Sequence, residues 1–238
     1  MDIIEALDTI FDFFPRHILT ELKNEGFYRP ILEGRVKEGA EIYDILERKH
    51  SSLQDSDYAW LAQAIKPFLR TGSILQIGCG GGNLLKSLAE SGFRPIYGID
   101  RSQVMLETAA SRLKGSADCF LVREKIESFD FSGLADINNV IINNFWGMVC
   151  EERSRRLLDG LKKCINGNSL LFIGPYEEKR MDSKKRMAEE IARKKIGFTL
   201  AYPFFKDFSG CGYDSEIADI GQKKYFILKL NKYARPSG

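Results

Sequence analysis

"ILQIGCGGGNLL", residues 74–85, decides how this chain is read. An apolar run enters glycine at four of five positions, Gly78, Gly80, Gly81 and Gly82, and an amphipathic stretch follows at once. Such a pattern predicts a strand that turns sharply into a helix. Glycine permits positive φ and leaves room for a ligand at van der Waals distance from the main chain. A P-loop needs Gly-Lys-Ser/Thr here, and none is present. A dinucleotide fingerprint needs G-x-G-x-x-G, whose last position is Asn83 in this chain. The next acid sharpens the choice: Asp100 closes the following strand-like run, 22 residues beyond Gly78. That places a carboxylate where a ribose diol can donate to it.

Outward from this stretch the periodicities alternate. "RPIYGID" reads as a second strand, "SQVMLETAASRLKG" as a helix, and "DCFLV" and "INNVIINN" as strands. A helix in "EERSRRLLDGLKKCI", a strand in "NSLLFIG" and a charged helix in "KRMDSKKRMAEEIARKKIG" follow. "FTLAYPFF" and "KYFILKLN" close the chain as strands with no convincing helix between them. Alternation predicts a parallel α/β sheet with helices on both faces, and the closing pair predicts an antiparallel edge. Residues 1–70 differ. Apolar positions recur at helical spacing in "IIEALDTIFDFF" and "DYAWLAQAIKPFL", with Gly and Pro breaks between. Two parts are therefore expected, a helical N-terminal extension over 1–70 and a sheet domain over 71–238.

Bulk properties are those of a globular chain able to bury a core without disulfides: 238 residues, 44% hydrophobic and 29% charged. A net charge of +2 selects no nucleic-acid partner. The acidic N-terminus lacks the basic region of a secretory signal, and no apolar run reaches membrane-spanning length. Five cysteines without a C-x-x-C pair read as free thiols in a reducing, cytoplasmic setting. No His/Cys/carboxylate cluster has metal spacing, so no metal is expected.

"ILQIGCGGGNLLKSLAESGFRPIYGIDRSQVML" resembles the nucleotide-binding half of class I S-adenosylmethionine-dependent methyltransferases. The resemblance implies a Rossmann-like sheet of seven strands whose last pair forms the antiparallel edge. It also implies that Gly78, Cys79, Gly80 and Gly82 line the cofactor, with Asp100 on its ribose hydroxyls and Arg101 beside the adenine. After the third strand, Glu124, Lys125 and Ile126 are the matching positions for the adenine contacts. Asn143 or Asn144, after the fourth strand, approaches the methionine moiety through backbone carbonyls. Where this family carries an acid to orient the cofactor's ammonium, the chain has Gln76, an acceptor without charge. A charge-assisted hydrogen bond is about twice as strong as a neutral one.

The implied activity is in-line methyl transfer to oxygen or nitrogen of a small molecule. Such a reaction has no obligatory nucleophile, so a base is not legible from spacing. His17 and His50, the only histidines, and Tyr58, Trp146 and Tyr176 are the candidate acceptor-side residues. Trp60 reads as packing. The helix in residues 177–195 interleaves eight basic with five acidic residues, which favours a solvated amphipathic face over a nucleic-acid contact. Two alternatives stand beside this reading: a non-catalytic scaffold on the same fold, motivated by Gln76, and an RNA-modifying enzyme, motivated by the basic residues at 153–156 and 179–195.

Overall fold

A computed structural model describes the chain except residues 12–15, 39–40, 43–57, 117, 127, 135, 145, 147–148, 177–182, 200–204, 222 and 232–238. For residues 17 and 18 only the backbone is described. The chain forms two compact units, Met1–Lys49 with Glu178–Tyr202, and His50–Glu177 with Pro203–Gly238.

The larger unit carries seven strands: β1 (Ile74–Ile77), β2 (Ile96–Asp100), β3 (Cys119–Arg123), β4 (Asn139–Asn143), β5 (Leu170–Tyr176), β6 (Tyr213–Ile220) and β7 (Lys223–Leu230). Their order across the sheet is β3-β2-β1-β4-β5-β7-β6. The first five are parallel, and β7 runs antiparallel to both β5 and β6. This is the expected class I arrangement, including its antiparallel closing pair. Strand order reverses between β1 and β4, and a crevice at such a reversal is where open α/β sheets bind ligands.

β1 and β4 are buried at every position, as central parallel strands covered on both faces must be. One face carries Leu75, Ile77, Val140, Ile142 and Ile173 against Leu157, Leu158 and Leu161 of the helix Glu151–Leu161. The other carries Ile74, Ile96, Ile141 and Phe172 against Leu84, Leu85 and Leu88 of the helix Asn83–Glu90. Leu61, Ala62 and Ile65 of the helix Tyr58–Ile65 complete that second layer. The division expected at residue 70 is therefore displaced. Tyr58–Ile65 belongs to the sheet's own core, because its apolar stripe has the sheet face to bury.

The smaller unit is discontinuous in sequence. Its first helix, Ile3–Ile10, opens with a reciprocal capping box in which Asp2 and Glu5 each accept the other's backbone N–H at 2.9 Å. Ala6, Leu7, Ile10 and Phe11 share a core with Ala188, Ala192 and Phe198 from the far end of the chain. The charged helix, Ser183–Ile196, is thus amphipathic as expected, but its seam is Ala188 and Ala192, not Met187 and Lys195, which are exposed. Small side chains four apart admit a neighbouring helix closely. Tyr28 is buried there and donates to Asp8 at 2.8 Å, so burial and that carboxylate both push its ionisation upward.

The first closing strand is also displaced. It lies at Tyr213–Ile220, not in "FTLAYPFF", whose residues 200–204 lie outside the described ones. Phe198 is consumed by the smaller core and Phe205 by the larger, so that apolar run serves two cores at once. Tyr213–Ile220 conceals itself because it is an edge strand with Asp214, Glu216 and Asp219 on it. Charged edges resist further strand pairing.

A buried polar clamp fixes the entry to β1. The Asn139 side chain is fully buried; it accepts from Arg70 N–H at 2.8 Å and donates to the Arg70 and Ser73 carbonyls at 2.7 and 3.1 Å. Asn139→Leu strands these main-chain groups and is expected to destabilise the protein by about 3 kcal/mol, since each buried orphan costs ~1–3 kcal/mol. Urea unfolding with an unchanged m-value is the measurement that checks it.

Candidate cofactor site

β1 ends in a loop whose conformation requires glycine. Gly78, Gly80 and Gly82 have φ of 65, 53 and 77°. The loop's N–H groups are turned inward. Gly78 and Cys79 both donate to the Ile99 carbonyl, at 2.8 and 3.1 Å, and Gly82 donates to the Cys79 carbonyl at 3.1 Å. Gly80 N–H donates to Asp100 Oδ2 at 2.8 Å. The Gly81 carbonyl accepts from Arg112 at 2.8 Å. Phosphate-binding loops present their N–H groups to the ligand. With these four committed internally, the loop suits a nucleoside without phosphates.

Asp100 is held from two sides, its second oxygen accepting Ser102 N–H at 2.9 Å. Ser102 in turn caps the helix Gln103–Arg112, accepting Met105 N–H at 3.3 Å. Met105 is buried, its sulfur 3.9 Å from where a Cβ on Gly80 would stand.

Three buried side-chain oxygens find no partner among the described residues: Ser154 Oγ in the helix Glu151–Leu161, and Gln76 Oε1 and Asn143 Oδ1 in the sheet. Gln76 pairs in register with Ile141, so Asn143, two residues on along β4, shares its face of the sheet. Both sit at the carboxyl ends of the central strands, below the glycine loop. Leaving a buried acceptor unpaired costs ~1–3 kcal/mol. Each of the two is an acceptor that an N–H donor of a ligand would satisfy.

The predicted site residues divide accordingly. Gln76, Gly78, Gly80, Asp100 and Asn143 converge at the carboxyl ends of β1, β2 and β4. Arg101 follows β2 directly and is half-buried. Two residues expected to line a ligand are turned into packing. The thiol of Cys79 points among Gly98 and Leu85, because a Cβ on Gly98 would lie 2.9 Å from its sulfur. Gly82 faces the next helix, a Cβ there meeting Ala109 Cβ at 2.8 Å. Glu124 is exposed and folds into a local turn, accepting Lys125 N–H at 3.0 Å and the Ser128 hydroxyl at 2.7 Å. Those bonds hold its carboxyl below the usual range. Lys125 is exposed and the Ile126 side chain is in the core.

Of the acceptor-side candidates, Trp146 is core: it is 1% exposed, and its indole N–H donates to the Phe205 carbonyl at 3.0 Å. Tyr58 is half-buried against the second core layer. Trp60 is 54% exposed and lies over the turn at Gly221, where a Cβ would meet its ring at 2.8 Å. Tyr176 ends β5 with its hydroxyl against Lys206. His17 lies in the helix Arg16–Asn24 with its side chain outside the described residues, as is His50 altogether. Arg112 and Lys206 were not legible as site residues. Each reaches its place by long-range packing, with no local motif around it. The five cysteines are free, and burial pushes the Cys164 thiol up to about 12. Among the described residues no three His, Cys, Asp or Glu side chains gather as for a metal, and no helix is long and apolar enough to cross a membrane.

A reversed-order parallel sheet with an antiparallel closing pair, a phosphate-averse glycine loop and a carboxylate after β2 define the class I methyltransferase fold. Residues 74–167 match the family model of the methyltransferase domain. Solved structures agree in fold. A provisionally assigned O-methyltransferase from Nostoc punctiforme aligns with TM-score 0.60 and 16% identity over 79% of this chain and 60% of its own length. DhpI in complex with SAH gives 0.60 and 10% over 86% and 98%. The mitomycin 7-O-methyltransferase MmcR gives 0.59 and 14% over 80% and 57%. No curated protein matches the sequence significantly.

Gly82→Ala is expected to cost about 3 kcal/mol, combining a left-handed φ (~1–2 kcal/mol) with overpacking against Ala109 (~1–3 kcal/mol). Adding Ala109→Gly should recover the overpacking share alone. A double-mutant cycle by urea denaturation measures this; full additivity of the two changes would refute the contact.

Proposed function

We propose that the chain transfers a methyl group from S-adenosylmethionine to an oxygen or nitrogen of a small molecule. The observation that carries this reading is the pair of orphaned acceptors, Gln76 Oε1 and Asn143 Oδ1, beneath a loop whose N–H groups are spent internally. Together they suit the ammonium of an amino-acid moiety, and Asp100 suits ribose hydroxyls. When bound, S-adenosylmethionine supplies a methyl carbon made electrophilic by its sulfonium. The protein's contribution is alignment: Asp100, Gln76 and Asn143 hold the two ends of the nucleoside amino acid while an acceptor is positioned in line. Orientation of this kind lowers a barrier by roughly 7–11 kcal/mol.

The smaller unit is proposed to contribute to acceptor recognition. Its second segment, Glu178–Tyr202, lies in sequence between β5 and β6 of the larger unit.

Gln76 separates stability from binding. Gln76→Leu is expected to raise the melting temperature of the ligand-free protein, because a buried orphan is removed, and to weaken cofactor binding several-fold. Gln76→Glu should tighten binding by about tenfold or less, the gain of a charge-assisted bond. Asp100→Ala should weaken it by about 10- to 100-fold, as the loss of charged hydrogen bonds worth ~1.5–3 kcal/mol implies. Calorimetric titration with S-adenosylmethionine checks all three. Unchanged affinity in the Asp100 variant, or no binding to the unaltered protein at millimolar concentration, would sink the reading.

A further inference from the structure

Lys206 stands out among the cations of the larger unit. Its ammonium lies against the Tyr176 hydroxyl and 3.9 Å from the centroid of that ring. Among the described residues no carboxylate pairs with it. The adjacent Asp207 is turned away, committed to Arg155 at 2.9 Å and to the Gly210 N–H at 3.0 Å. Arg155 itself lies over the Phe205 ring at 4.7 Å, which fixes the segment from which Lys206 projects. A second cation is near, since Lys224 of β7 pairs in register with Tyr176. Asp219 of β6 is the acid opposite Lys224.

This cluster sits at the carboxyl end of β5, the end of the parallel strands at which β1 enters the glycine loop. Tyr176 is the last residue of β5, and Gly174, two residues earlier, pairs with Asn143 of β4. Between Ile173 and Tyr176 the pairing with β7 shifts register, and Tyr176 packs with Ile173 and Phe226. Tyr176 is itself buried and braced by Phe226 at 5.5 Å, so its hydroxyl is a fixed point and not a mobile surface group.

We propose that Lys206, positioned by Tyr176, holds the reacting oxygen of the acceptor as an oxyanion, so that the acceptor is an acidic hydroxyl of phenol or enol type and not an amine. This rests on the methyl-transfer reading above. A cation lowers the cost of ionising an acid beside it and disfavours a neighbouring ammonium. The acceptor gives its proton to bulk water on binding. Its oxygen then forms the O–C bond to the methyl carbon as the C–S bond breaks, with that electron pair retained by sulfur. Anion and sulfonium become a neutral ether and a thioether, so charge balances with no further reactant. The preorganised charge acts where negative charge is greatest before transfer.

The test uses 4-nitrophenol and 4-nitrocatechol, whose ionised forms absorb in the visible, with tyramine methyl ether as a cationic comparator. Each is titrated into the full-length protein saturated with S-adenosylhomocysteine. The expected result is binding of at least one nitrophenol as its anion, with its apparent pKa lowered in the complex, and no binding of the amine. Lys206→Met should weaken nitrophenolate binding at least tenfold and remove the spectral shift, while Lys206→Arg retains both. Tyr176→Phe should reduce the shift by releasing Lys206. S-adenosylhomocysteine affinity is measured on every variant and should not change. A shift that survives in Lys206→Met, or preferential binding of the amine, overturns the proposal. Failure of both nitrophenols to bind overturns it too. Failure of the unaltered protein to bind S-adenosylhomocysteine overturns the underlying cofactor reading, a separate and recognisable outcome.

Discussion

The Asp100 carboxylate joins three pieces of chain that converge on the crevice. One oxygen accepts the N–H of Gly80 and the other that of Ser102, both within 2.9 Å. The glycine loop, the end of β2 and the start of the following helix are thereby set by a single side chain. Both bonds run to backbone amides, so the side chain ties main chain to main chain. The Ile99 carbonyl, accepting from Gly78 and Cys79, extends the same arrangement by one residue. Without this junction the loop would have free amides and would suit a phosphate instead.

The glycines of the central motif divide their work. Gly78 and Gly80 provide a left-handed turn beside the crevice. Gly82 and Gly98 provide close approach: the first to Ala109, the second to Leu85, Leu121 and Cys79. Conformational and packing demands therefore coincide in one short motif, and only part of it faces a ligand. Against this tight packing, the orphaned oxygens of Gln76 and Asn143 are a local sacrifice of stability. Polar groups buried without partners are expected where a ligand completes them, and functional sites commonly break a local rule in this way.

The smaller unit shows the same economy in another form. Its helix Ser183–Ile196 looks in isolation like a basic surface feature, yet Ala188 and Ala192 are fully buried against the N-terminal helix. Its charges are partly matched along the helix, as by Lys194 and Glu190 at 2.6 Å. Segments far apart in sequence thus build one core, the second of them lying in sequence between β5 and β6. The placement of Lys206 follows from that return: the chain re-enters the larger unit at Phe205, which is anchored under Trp146.

The sequence by itself determined the sheet class, the glycine turn, the carboxylate of Asp100 at the end of β2 and the uncharged Gln76 in β1. These are local: period-two and period-3.6 patterns, positive φ and a fixed strand–turn–helix spacing leave their marks within a few residues. Tertiary structure decided the rest. Whether Trp146 lines a pocket or fills a core, whether Cys79 presents its thiol or only its backbone, and which helix claims residues 58–65 all depend on what lies across the fold. The acidic edge strand at Tyr213–Ile220 escaped because pairing on one side only imposes no alternation of burial. Arg112 reaching Gly81, and Lys206 reaching Tyr176, are contacts across 31 and 30 residues. Nothing in a linear pattern records such distances, since they are set by packing of the whole sheet and not by the residues alongside.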